Sequence, residues 1–87
     1  MYVILVYDVN EARVQKVCHY CRRFLPRVQN SVFEGDISES KLARLKSGLE
    51  KIVVPGQDAI LFWIMRDDHY VQRETMGHEK LPVSTFL

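Results

Sequence analysis

The chain is short of what a membrane protein, a disulfide-stapled module or a fibre would need. No unbroken apolar run exceeds seven residues, the length of Ala59 to Met65, whereas a membrane-spanning helix needs roughly 18 or more. The only cysteines, Cys18 and Cys21, stand three positions apart, too close to staple distant loops. Four glycines and three prolines are too few for a collagen-like or low-complexity chain. The first residues lack the basic segment and small-residue cleavage site of a signal peptide, and Asp8 interrupts their apolar stretch. A cytoplasmic location is therefore the expectation. What is present, 47% hydrophobic and 26% charged residues over 87 positions, describes one soluble domain spanning residues 1–87.

Size adds a second bound. A domain this small buries only about 60–65% of the surface its unfolded chain exposes, so a partner subunit or a metal is expected to help it. The formal net charge of +1 hides a sign asymmetry. Arg13, Lys16, Arg22, Arg23 and Arg27 face a single acid, Glu11, between residues 11 and 30, while residues 31–40 hold Glu34, Asp36 and Glu39 and no base. Clustered charge of one sign points to a polyanion-binding face more than the total does.

Residues 1–7 (MYVILVY) are β-branched and aromatic and read as a strand, apolar on both alternating faces. Asn10 is a suitable N-cap for a helix from Glu11 to about Leu25. At roughly 100° per residue, Val14, Val17, Cys18, Cys21, Phe24 and Leu25 share one arc of that helix, and Arg13, Lys16, Tyr20 and Arg23 share another. Val28 to Glu34 alternates as a second strand, followed by a Gly35-Asp36 turn. Ser38 caps a second helix, with Ile37 and Leu42 placed as a hydrophobic staple. Leu42, Leu45, Leu49 and Ile52 form its buried stripe, and Gly48 sits inside it at a cost of about 1 kcal/mol relative to Ala. Pro55-Gly56 ends that element, and Asp58 to Met65 is a further apolar strand. Tyr70 to Met76 and Val83 to Leu87 read as additional short strands.

The fold class is α+β, a ferredoxin-like β-α-β-β-α-β sandwich with a short extra C-terminal strand. Its core is expected over about residues 1–77, with 78–87 as a tail placed to pair with a partner subunit. In this fold both helices cover one face of the sheet. Ile4, Val6 and Leu61, or their opposite-parity neighbours, would then lie in water as a patch larger than monomers usually expose. Packing against a second copy, sheet to sheet, resolves this, so a homodimer is expected.

Two features could carry chemistry. Asp8 closes the first strand just before the first helix. It reads either as a turn or capping aspartate or, paired with its counterpart across a two-fold axis, as a carboxylate for Mg²⁺. Such a metal would polarise a phosphoryl oxygen or activate water. The stripe of Arg13, Lys16 and Arg23, with Arg27 beyond the helix end, reads either as a solvated helix face or as a surface for nucleic-acid backbone. Cys18 and Cys21 lie on the buried arc and are read as packing residues. Asp67-Asp68-His69 reads as a charged loop, because neighbours on a strand point to opposite faces.

The opening VILVYDV, the block Arg27-Val28-Gln29-Asn30-Ser31-Val32-Phe33-Glu34-Gly35, the strand led by Asp58 and the tail VSTFL together resemble the CRISPR-associated protein 2 family over nearly the whole chain. The resemblance implies a ferredoxin-like homodimer whose first-strand aspartates face each other and bind Mg²⁺, or a similar divalent cation such as Mn²⁺. It implies a metal-dependent endonuclease of CRISPR adaptation, acting on single-stranded RNA and in some members on duplex DNA. The CRISPR-associated protein 1 integrase is the implied protein partner. Carried over by position, Asp8 matches the metal aspartate and catalytic residue, and Tyr7 precedes it. Arg27 and Phe33 flank the second-strand motif, Arg13 matches an arginine early in the first helix, and together with Tyr7 these are the implied nucleic-acid-binding residues. Lys16 and Arg23 rest on helix geometry alone. A non-catalytic DNA-binding scaffold bridging integrase dimers stands as the alternative, with a toxin-type ribonuclease more remote.

Overall fold

Tyr2–Asp8 forms the first strand, β1, of the computed structural model, which describes residues 1–66 together with Gln72, Glu74 and Met76. The chain continues through helix α1 (Glu11–Arg22), strands β2 (Arg27–Gln29) and β3 (Val32–Asp36), helix α2 (Glu39–Ile52) and strand β4 (Ala59–Met65). The sheet order is β2-β3-β1-β4, with antiparallel pairing throughout. This is the ferredoxin-like arrangement, with β1 and β3 in the middle of the sheet.

The strands are apportioned differently from the sequence expectation. Residues 28–34 are not one strand. They break at a turn on Asn30 and Ser31 into the β2–β3 hairpin, with a register shift between Arg27 and Gln29. The guanidinium of Arg27 folds over that turn, donating to the carbonyls of Gln29 (3.3 Å) and Asn30 (3.1 Å). Gly35 and Asp36 belong to β3 instead of forming a turn. Gly35 is needed there for close approach, because a Cβ would stand 3.0 Å from Cδ of Pro26. With the hairpin counted as two strands, the segment expected as the third becomes β4. The strands expected at 70–76 and 83–87, and the Asp67-Asp68-His69 cluster, lie outside the described residues, apart from Gln72, Glu74 and Met76.

The helix ends follow local chemistry. Asn10 Oδ1 accepts from the Ala12 amide at 2.9 Å, and Ser38 Oγ accepts from the Lys41 amide at 3.2 Å. Each satisfies a donor the first helical turn leaves unpaired. Helix α1 ends at Arg22, short of the expected Leu25. The residue before a proline avoids helical backbone, so Phe24 and Leu25 close the turn on the Cys21 carbonyl before Pro26.

One face of the sheet supplies Val3, Leu5 and Tyr7 of β1 and Phe33 of β3 to a core shared with Val17, Cys18 and Cys21 of α1 and Leu42, Leu45 and Leu49 of α2. Each large apolar side chain enclosed this way contributes about 1.5–3 kcal/mol. On the other face the expected exposure is only partly present. Val6 is buried, Ile4 is half-buried, and Leu61 and Trp63 are 54% and 43% exposed. The register aligns Val6 with Val32 and Leu61, and Ile4 with Glu34 and Trp63. The solvent-facing apolar surface of this face therefore concentrates at Leu61 and Trp63 of β4, the edge strand in the sheet order.

Candidate active site

Asp8 is the last residue of β1, paired in register with Ala59 of β4. Its side chain is exposed and, among the described residues, forms no hydrogen bond or ion pair. It does not cap α1, since Asn10 does that. A carboxylate that neither caps nor pairs is free to bind something else.

The neighbouring Asp58, read from the sequence only as the start of a strand, behaves in the opposite way. Its side chain has no exposed surface, and it accepts four hydrogen bonds. Oδ1 takes the Asn10 amide (2.8 Å) and Arg13 Nη2 (3.0 Å), and Oδ2 takes Arg13 Nε (2.6 Å) and the Val54 amide (2.8 Å). Arg13 grips the carboxylate as a fork, and together with the two amides it holds Asp58 well below the usual carboxylate range despite desolvation. Arg13 Nη2 also reaches Gln57 Oε1 at 3.1 Å. No signal in the sequence joins two residues 45 positions apart, so this pair could not be read there.

Tyr7 and Phe33 are core residues, 4% and 0% exposed, with rings edge to face at 6.2 Å. Neither offers a free face to a base within the folded protomer. They fix the end of β1 instead. Tyr7 donates from its hydroxyl to the Asn30 carbonyl (3.3 Å) and from its amide to the Ser31 carbonyl (3.1 Å). Burial, with Cys18 adding to it, pushes the phenol up to about 12, so it stays protonated and donating. Tyr7, Arg27 and the β2–β3 turn thus lie on the side of Asp8 toward β3, and Arg13 with Asp58 lies toward β4.

The basic stripe of α1 is divided. Arg13 is committed to Asp58, and Tyr20 is set between the helices, donating to the Arg44 carbonyl at 3.0 Å and packing on Phe24 at 5.1 Å. Lys16 and Arg23 remain exposed, with Arg23 lying 5.6 Å from the Tyr20 ring centre. Cys18 and Cys21 are free and buried, and burial pushes the Cys21 thiol up to about 12, as packing residues require. Among the described residues no three His, Cys, Asp or Glu side chains gather as a metal site.

The family model for CRISPR associated protein Cas2 matches residues 1–73. The chain belongs to the Cas2 family. It is 46% identical over 80 residues to a CRISPR-associated endoribonuclease Cas2 of Dictyoglomus turgidum, covering 92% of both chains. It is 40% identical over the full length of both chains to a protein of the same description from Pyrococcus furiosus. A solved Cas2 crystal structure superposes with a TM-score of 0.84 at 39% identity, over 94% of this chain and 92% of that one. No helix among the described residues is long and apolar enough to cross a membrane.

Proposed function

We propose that this chain is an endoribonuclease of CRISPR adaptation that cuts single-stranded RNA as a homodimer, with Asp8 of each protomer in a shared interface. The observation that carries the reading is the contrast between two adjacent aspartates. Asp58 is saturated with donors, while Asp8 at the end of a central strand is exposed and without a partner among the described residues. The endoribonuclease description of the relatives supports the reaction class. Exposed Leu61 and Trp63, aligned with Val6 and Ile4 of the strand that ends in Asp8, support pairing of two sheets, because apolar surface of that kind is covered in stable assemblies.

The donor chemistry fits a hard divalent cation. Asp8 offers carboxylate oxygen, whereas the thiols that would favour softer metals are buried. Asp8 and its two-fold mate would hold Mg²⁺, or Mn²⁺ in its place, and such a cation lowers the pKa of bound water and polarises a phosphoryl oxygen. The remaining tasks fall to the chain itself. Exposed Lys16, Arg23 and Arg27 neutralise backbone phosphates. The Tyr7 hydroxyl and amide hold the β2–β3 turn against the strand that ends in Asp8.

The test is cleavage of end-labelled single-stranded RNA by the wild type and by Asp8→Asn prepared in parallel, with Mg²⁺ and with EDTA. Loss of cutting in Asp8→Asn and in EDTA is expected, and equal cutting by both proteins would refute the reading. A second reading is a non-catalytic scaffold that bridges integrase dimers on DNA. Exposed Lys16 of α1 and Arg23 at its C-terminal end favour it, and retention of spacer integration by Asp8→Asn would mark it.

A further inference from the structure

We propose that Asp58 and Arg13 are positioning residues that set the affinity of the Asp8 site for a divalent cation, an inference that rests on the role given to Asp8 above. Asp58 touches three separate segments with one carboxylate. It accepts the Asn10 amide from the β1–α1 turn, the Val54 amide from the α2–β4 connection, and the Arg13 fork from the first turns of α1. Two positions near Asp8, one along the chain and one across the sheet, are thereby tied to Asp58. Asn10, two residues along the chain, is bonded directly to Asp58, and Ala59, its partner across the sheet, is the next residue after Asp58.

A carboxylate has about four acceptor positions, and all of those on Asp58 are filled from within the chain. Asp58 therefore cannot serve as a second ligand beside Asp8, although it is the carboxylate adjacent to Asp8's strand partner. What it supplies is rigidity. A ligand held by a satisfied hydrogen-bond network loses less freedom when it binds a cation. The pair also balances charge, because a neutralised Arg13 repels a cation at Asp8 less than a bare guanidinium would.

These two contributions make opposed forecasts, which renders the inference testable. Removing the Arg13 charge would tighten cation binding if charge alone mattered, and would weaken it if the fork positions the turn. The experiment titrates Mn²⁺ alone into wild type, Asp8→Asn, Asp58→Asn and Arg13→Gln. It follows paramagnetic broadening of the residue 8 amide together with hydrogen exchange at Asn10. In both Asp58→Asn and Arg13→Gln, the Mn²⁺ midpoint should rise at least about tenfold and Asn10 exchange should accelerate, with the dispersed spectrum of a folded protein retained. Should Asp58→Asn fail to fold, Arg13→Gln decides alone. An unchanged or lower midpoint in Arg13→Gln overturns the positioning role. Undiminished Mn²⁺ binding by Asp8→Asn instead overturns the reading of Asp8 itself.

Discussion

The phenol of Tyr20 occupies the space that a side chain at position 48 would need. Its ring lies against the α-carbon of Gly48 and its hydroxyl bonds the Arg44 carbonyl one turn earlier, so the two helices close on a ring-to-backbone contact. This explains a glycine that helix propensity alone disfavours. Alanine at that position gains about 1 kcal/mol in propensity but meets the ring, and overpacking costs about 1–3 kcal/mol. Gly48→Ala should therefore lower the urea midpoint in the wild type and raise it in a Tyr20→Ala background. Stabilisation by Gly48→Ala in the wild type would show that the contact is not restrictive.

The Arg13–Asp58 pair gives a pH dependence with a defined sign. The folded carboxyl is held below its usual value of about 3.9, chiefly by the Arg13 side chain. Its contribution to stability is complete above about pH 4 and is lost as the pH falls through and below the unfolded value. The difference in urea midpoint between wild type and Asp58→Asn should be largest near neutrality and should shrink in acid below about pH 4. A difference that stays constant to low pH would contradict the pairing.

Pairing of protomers is tested on β4. Leu61→Glu or Trp63→Glu places charge on the exposed outer face with only about 0.5 kcal/mol of change expected within the protomer. Sedimentation at micromolar concentration should shift from dimer to monomer, and RNA cleavage should fall with it. A variant that still sediments as a dimer would remove this face from the interface.

Much of this arrangement was legible in the residues. The central strand announced itself through β-branched and aromatic side chains, the helices through their period, and the helix starts through Asn10 and Ser38. Asp8 stood out because it ends an apolar strand without being the best cap. The β2–β3 hairpin was hidden because alternation runs on through Asn30 and Ser31, so the two short strands look like one. Phe33 and Tyr7 lie within alternating segments whose two faces the sequence does not rank, and only packing against α1 and α2 reveals them as core. Tyr20 was placed on the polar stripe by helix arithmetic, which says nothing of the second helix beside it. The role of Asp58 depends on contacts with residues brought together only by folding.

The most direct test of the paired-aspartate site is the stoichiometry of Mn²⁺ binding by equilibrium dialysis, with sedimentation run on the same sample. One bound ion for every two chains is expected, present in the dimer and absent from Asp8→Asn. One ion per chain, or binding that persists in Asp8→Asn, would contradict it.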